Sequence, residues 1–203
     1  RLKFISHVPN GQGRDYFGSQ PLRGKLPNTL HADFMTILDN HELMAIIKNL
    51  GLKKDVDYRI PENFRKLNYG RLMMFPDPDN DGKHILGLVL LFFMSKFPTL
   101  VELGYICFLR IPVVRISING QRMVFYTFSA FKRYLAQVPQ GTQVGTPDYF
   151  KGLGSSEDHH IAEDYANPRI VTFKMDEQAI ERTLLAFHKQ QSDKRKQWIA
   201  DFV

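Results

Sequence analysis

The sequence predicts an α/β fold: a central, mostly parallel sheet with a crossover helix, an inserted hairpin and C-terminal helices. Three observations carry that prediction. A short apolar run, Arg71 to Phe75, leads directly into an acidic loop and then into a long apolar stretch ending near Phe97. Two strand-like runs, Val113 to Ile118 and Met123 to Tyr126, flank Asn119-Gly120, a pair suited to the two-residue hairpin turn. From Asp176 onward, Ile180, Leu184 and Phe187 fall on one helical face.

The elements follow in order. The stretch to about Asn28 is rich in Gly and Pro and carries Arg14, Arg23 and Lys25, so it reads as loop and turn. Phe34, Ile37, Leu38, Ile46, Ile47 and Leu50 recur at near-helical spacing, and Asp39-Asn40 divides them into two short helices. Gly51 suits the left-handed cap that ends the second. Arg71 to Phe75 is a buried strand, stopped by Pro76. Gly82 opens a helix from about Lys83 to Phe97, apolar almost all round and therefore buried. Further strands fall near Tyr105 to Leu109 and on both sides of Asn119-Gly120. Ser129 is placed to cap a short helix holding Phe131 and Leu135. Lys151-Gly152-Leu153-Gly154 is a tight basic loop, with Ser155 or Ser156 capping the helix after it. Ile170 to Phe173 is a strand, and Asp176 starts the next helix. The end, Ser192 to Val203, is basic and amphipathic, with Trp198 and Phe202 four apart. Tyr16, Tyr105, Tyr126 and Tyr149 read as packing residues.

Composition bounds the function. The chain has 203 residues, 43% hydrophobic and 24% charged, enough for a real core and too apolar for global disorder. A net charge of +6 and a pI near 9.4 favour polyanionic partners. A single cysteine, Cys107, excludes an intrachain disulfide framework and fits a reducing, intracellular compartment. The longest apolar run, Ile85 to Met94, falls short of the roughly 20 residues a membrane helix needs. The chain opens at Arg1 with neither a starting methionine nor a signal peptide and reads as a fragment.

The acidic loop carries the chemistry. Asp77, Asp79 and Asp81 alternate over five residues, followed by Gly82. Three ionised carboxylates this close repel one another, and a hard divalent cation with oxygen ligands is the usual remedy. A calcium-binding EF-hand loop needs a glutamate where Leu88 stands and a helix where the strand precedes. A solvated acidic turn and a magnesium site for phosphate chemistry remain. Magnesium suits the pattern because it is held by one or two carboxylates plus waters and phosphates. His84, just past the loop, is a supporting residue that orients a carboxylate or phosphate, or a purely structural histidine.

With these residues in hand, the chain resembles the TOPRIM region of eukaryotic-type DNA topoisomerase II, a type IIA enzyme with a Rossmann-like fold. The landmarks stand in the family's order from Gly13-Arg14-Asp15 through Pro21-Leu22-Arg23-Gly24-Lys25 with Asn28. They continue with Asp77-Pro78-Asp79-Asn80-Asp81-Gly82-Lys83-His84-Ile85, Phe150-Lys151-Gly152-Leu153-Gly154-Ser155 and Arg195-Lys196-Gln197-Trp198-Ile199. The resemblance implies an ATP-dependent enzyme that cleaves and religates double-stranded DNA through a phosphotyrosyl link. It implies Asp77 and Asp79 as Mg²⁺ ligands (Mn²⁺ or Ca²⁺ substituting), with Asp81 a third or water-mediated one. It implies DNA contacts at Arg23, Lys25, Asn28 and Lys151 that position without reading sequence. The family's Glu-Gly-Asp motif and its tyrosine-bearing winged helix have no match here, so no complete catalytic set is expected and the chain alone is expected to be inactive. Residues 1–175 are then a TOPRIM domain lacking its upstream glutamate, and 176–203 a helical segment leading to the winged helix. ATP would be bound by a domain outside this sequence, and the full-length enzyme would be a homodimer. Pro78 and Lys83 are unusual for cellular enzymes and suggest a divergent source such as a large DNA virus. Location would be the nucleus, or the cytoplasm or viral factory of a host. A TOPRIM-type nuclease or primase, and a non-enzymatic DNA-binding module, are the rival readings.

Overall fold

The computed structural model describes residues 13–150 and 157–201. The expected loop region opens instead with one helical turn, α1 (Gly13–Tyr16), and Tyr16 is 67% exposed, so it does no packing there. Extended chain then leads to α2 (Phe34–Leu38) and α3 (His41–Leu50). The division at Asp39-Asn40 is as expected, and both helices start on a side-chain cap. Asp33 accepts from the Thr36 amide and Asn40 from the Leu43 amide. Gly51 ends α3 at φ 72, where a residue with a Cβ would be strained.

A short helix, α4 (Pro61–Phe64), precedes β1 (Leu72–Met74), which is half-buried where a buried strand was expected. The long helix α5 runs Asn80–Lys96 and is followed by α6 (Pro98–Glu102) and β2 (Ile106–Leu109). The hairpin β3 (Val114–Ile118) and β4 (Gln121–Phe125) turns at Asn119 and Gly120. Both turn residues have positive φ, 50 and 75, as this turn requires. Next come α7 (Phe128–Gln137), β5 (Asp148–Tyr149), α8 (Asp158–Ala166) and β6 (Ile170–Thr172). The chain closes with α9 (Glu177–Phe187), a 3₁₀ turn at Lys189–Gln191 and α10 (Ser192–Ala200).

Two caps differ from expectation. Thr127, not Ser129, caps α7, its hydroxyl accepting from the Ala130 amide at 3.1 Å. Ser129 is already inside the helix, so it has no free amide to serve. Glu157 occupies the cap position of α8 without a side-chain cap bond, while Ser155 and Ser156 lie outside the described residues. Asp176 caps α9 as expected, accepting from the Ala179 amide. In α10 no residue is buried, and Phe202 lies outside the described residues.

The fold is α/β, with two three-stranded sheets ordered β1-β2-β6 and β4-β3-β5. The chain divides into two compact units. One comprises the part before Gln20, the segment Phe75–Lys83 and the segment Phe108–Val171. The other comprises Gln20–Met74, His84–Cys107 and the chain from Thr172 onward.

The second unit holds the larger core. Leu43, Ile46 and Leu50 of α3 pack with Leu88, Val89, Phe92 and Phe93 of α5 and with Phe97, Leu100 and Tyr105. Phe92, Phe93 and Phe97 meet edge-on or tilted, with centroids 5.1 to 6.1 Å apart. Tyr105 is buried as expected. Its hydroxyl donates to the Tyr69 carbonyl, and burial pushes its pKa up to about 12. Cys107 is fully buried, and burial raises its thiol above the usual range.

The first unit has a smaller core, Val113, Val114, Ile116, Ile118, Phe125 and Phe131, between the β3–β4 hairpin and α7. Its sheet is antiparallel, with Val114 opposite Phe125 and also opposite Tyr149. Tyr149 stacks on Phe128, and the guanidinium groups of Arg110 and Arg169 each lie over the Tyr126 ring. Both tyrosines therefore pack.

Candidate metal loop and basic segment

The acidic loop is shaped by its helix. Asp79 is the cap of α5: its carboxylate oxygen accepts from the Gly82 amide at 2.7 Å, and its carbonyl accepts from Lys83. The helix therefore begins at Asn80, three residues before the expected start, and Asp81 lies in its first turn. A carboxylate there is favoured by the helix dipole.

Gly82 explains why the motif needs a glycine. A Cβ at this position would lie 2.1 Å from the Asp77 carbonyl oxygen and 2.8 Å from its nitrogen. The backbone of Asp77 thus crosses directly over the first turn of α5, and no side chain fits between them. This contact fixes where the Asp77 carboxylate departs from the chain. Asp77 is half-buried, whereas Asp79, Asp81 and His84 are exposed.

Among the described residues, no group of three or more His, Cys, Asp or Glu side chains is disposed to hold a metal ion. The three aspartates are not a closed cage. Asp79 already spends one oxygen on the helix cap. This donor set fits a hard cation held by one or two carboxylates and completed by water and phosphate oxygens, the magnesium pattern. It does not fit an EF-hand. The position needing glutamate, Leu88, is buried in the core, and a strand precedes the loop.

The basic segment lies in the other unit. Arg23, Lys25 and Asn28 are exposed, while Leu26 and Thr29 between and after them are buried. Leu26 plugs the helical core, and the Thr29 hydroxyl meets that of Ser95 at 3.4 Å. Gly24 has φ +121, which lets the chain turn between the two cations. Asn28 is engaged at both ends: its amide nitrogen donates to the Phe187 carbonyl at 2.7 Å, and its oxygen accepts from the Leu30 amide at 3.0 Å. Lys151 and the rest of its Gly-rich loop lie outside the described residues.

Two arginines carry structure that sequence reasoning left unassigned. Arg195, quoted only as a landmark, donates from Nε to the Leu185 carbonyl at 3.0 Å and from Nη2 to the His188 carbonyl at 2.9 Å. A cation shortly after a helix end was the available signal. Arg115 is 5% exposed and bonds both carboxylate oxygens of Asp164 at 2.7 Å, while its Nε has no hydrogen-bond partner. A charged residue inside an apolar strand run was the signal there.

Comparison with known proteins adds three findings. Residues 109–203 match the family described as the C-terminal associated domain of TOPRIM. The chain is 34% identical over 197 residues to human DNA topoisomerase 2-alpha and 34% identical over 203 residues to chicken DNA topoisomerase 2-beta, covering 94% of its own length each time. It spans only 13% and 12% of the length of those relatives. Its structure superposes on the DNA-binding, cleavage and re-ligation domain of Plasmodium falciparum topoisomerase II with a TM-score of 0.74 and 28% identity, over 90% of this chain and 25% of that one. By sequence and by fold together, the chain is similar to a segment of eukaryotic-type DNA topoisomerase II that includes the C-terminal associated domain of TOPRIM.

Proposed function

We propose that this chain is the metal-binding TOPRIM part of an ATP-dependent type II topoisomerase that transiently cleaves and religates double-stranded DNA. The supporting observation is the Gly82 contact, which holds Asp77 over the start of a buried helix, within a chain similar to topoisomerases along 94% of its length. That breadth of similarity favours this reading over a nuclease, a primase or a non-enzymatic module.

Asp77 and Asp79 are the Mg²⁺ ligands in this reading, with Asp81 contributing directly or through water. When bound, the ion would neutralise charge on a phosphate and on the oxygen released by cleavage. Asp77 presents its carboxylate from a fixed backbone, so little ordering is left for the moment of binding. Asp79 keeps one oxygen on the helix cap and offers the other. His84 stands exposed on the same helix as a supporting residue. Arg23, Lys25, Asn28 and Lys151 hold DNA through its backbone and carry no sequence preference. ATP, the upstream glutamate and the nucleophilic tyrosine are supplied by other parts of the full-length protein, which acts as a homodimer on intracellular DNA. A viral source rests on Pro78 and Lys83 alone.

The test is Mg²⁺-dependent DNA cleavage by the intact protein. Asp77→Ala and Asp79→Ala are expected to abolish covalent cleavage complexes while leaving non-covalent DNA binding in place. Unchanged cleavage in both variants would overturn the metal assignment. The isolated 203-residue chain is expected to form no tyrosyl–DNA adduct, and finding one would overturn the division of labour.

A further inference from the structure

Three strand ends of one compact unit bring two arginines onto a single tyrosine. Arg110 directly follows β2, Tyr126 directly follows β4, and Arg169 directly precedes β6. The Arg110 amide donates to the Arg169 carbonyl at 2.8 Å, which ties the two backbones side by side. Both side chains are exposed, and both guanidinium groups lie over the half-buried Tyr126 ring, their central carbons 5.1 and 4.7 Å from its centroid. No acid balances this pair. Among the described residues, neither guanidinium has a carboxylate within ion-pair distance, whereas Arg59 meets Asp57 and Glu102 and Arg122 meets Glu163. The first turn of α7, which opens two residues after Tyr126, contributes no acidic side chain either.

Like charges gathered on one ring repel, and the attraction of each cation for the aromatic face offsets part of that cost. A bound anion would offset the rest. A guanidinium resting on an aromatic face keeps its planar fork of N–H donors for another partner, and that fork matches a phosphate through paired hydrogen bonds. We propose that Arg110 and Arg169, ordered on Tyr126, form a binding site for the phosphodiester backbone of duplex DNA, in addition to the contacts already assigned. Tyr126 is the platform: it carries no charge to the phosphate and acts through the two arginines. The proposal rests on the reading that the full-length protein works on DNA. Phosphodiester is the anion favoured because the acidic loop, assigned above to a phosphate-bound metal, belongs to the same compact unit as all three residues. Contacts of this kind add affinity and read no base.

The first test needs no variant. The intact protein is treated with phenylglyoxal, which modifies exposed guanidinium groups, with and without a linear duplex in a chelator that prevents cleavage. Mass spectrometry should find Arg110 and Arg169 labelled in the free protein and shielded several-fold by the duplex. Duplex affinity is then measured against salt. Arg110→Gln and Arg169→Gln are each expected to lower the magnitude of the salt slope by ~1, and the pair by ~2. Arg110→Lys should keep the slope, because a lysine still neutralises one phosphate. Tyr126→Leu keeps both charges, so affinity should fall several-fold with the slope nearly intact. Glutamine variants that melt at a lower temperature but keep the parent's slope would show a purely structural stack and overturn the proposal. Shielding by poly-glutamate and not by duplex would point to an acidic protein partner and overturn it as well. A parent protein that binds duplex with both arginines still reactive would overturn this site alone. A parent that binds no duplex would remove the topoisomerase reading together with it.

Discussion

The two compact units are held together by different physics. The unit built on α3, α5 and α6 rests on aromatic and aliphatic burial, with Phe92, Phe93 and Leu100 wholly inside. Burial of this kind is non-directional and involves no titrating group. The unit built on the β3–β4 hairpin has a smaller apolar core and closes onto α8 with polar pairs: Arg115 on Asp164 and Arg122 on Glu163 as ion pairs, and Asp148 beside the His160 ring. Only the first pair is buried, so only it escapes screening by solvent. A bulky scaffold can stay rigid through composition alone, whereas a small sheet with a polar neighbour needs specific partners.

That contrast can be broken from either side. The largest expected loss is in the helical unit: Phe92→Ala should cost about 4 kcal/mol by emptying the centre of its core, measured by denaturant unfolding. On the charged side, Asp164→Ala leaves Arg115 buried without its counter-ion and should cost about 3 kcal/mol, with hydrogen-exchange protection lost in β3 and α8 before α5. Gly82→Ala forces the Asp77 backbone away from α5, for about 2 kcal/mol and the disappearance of Mg²⁺-dependent cleavage in the intact protein. If that variant cleaved normally, the loop's closeness to the helix would be irrelevant to its chemistry. Thr127→Ala should remove about 1 kcal/mol, the worth of one helix cap, whereas Ser129→Ala should remove far less.

The smallest effect is one of pH. Burial first, then the charges of Arg115 and His159, hold the His160 imidazole below its ordinary 6.5, with Asp148 opposing and Arg122 adding a little. The unfolded chain therefore binds this proton more readily than the folded one. The contribution is fully present above about 6.5 and is lost as pH falls through the depressed folded value. Thermal melts of His160→Gln should show a flatter acid limb than the parent. Equal slopes would remove His160 from the account.

Local signals were legible in the sequence and distant pairings were not. Asp39-Asn40, Gly51, Asn119-Gly120 and Asp176 each act on residues within a turn of themselves, and each does in the structure what its type demands. The start of α5 was read three residues late because Asn80 and Asp81 look like loop residues until Asp79 is recognised as the cap. Of the candidate site, the Asp-x-Asp-x-Asp-Gly pattern was visible, but the backbone contact that requires its glycine was not. That Asp79 caps the helix was not visible either. Asn28 was legible as a candidate by resemblance, yet its bond to Phe187 spans most of the chain and no pattern of spacing announces it. The burial of Arg115 was hidden for the same reason, since Asp164 stands 49 residues away.

The lone thiol has a practical consequence. Cys107 is the chain's single cysteine, sits on β2 fully enclosed, and is held in its protonated form by its surroundings. An alkylating reagent can reach it only when β2 and its neighbours part, so the labelling rate under native conditions counts those openings directly. No engineered probe is needed: mass spectrometry of the tagged chain would clock how often β2 comes apart with and without DNA.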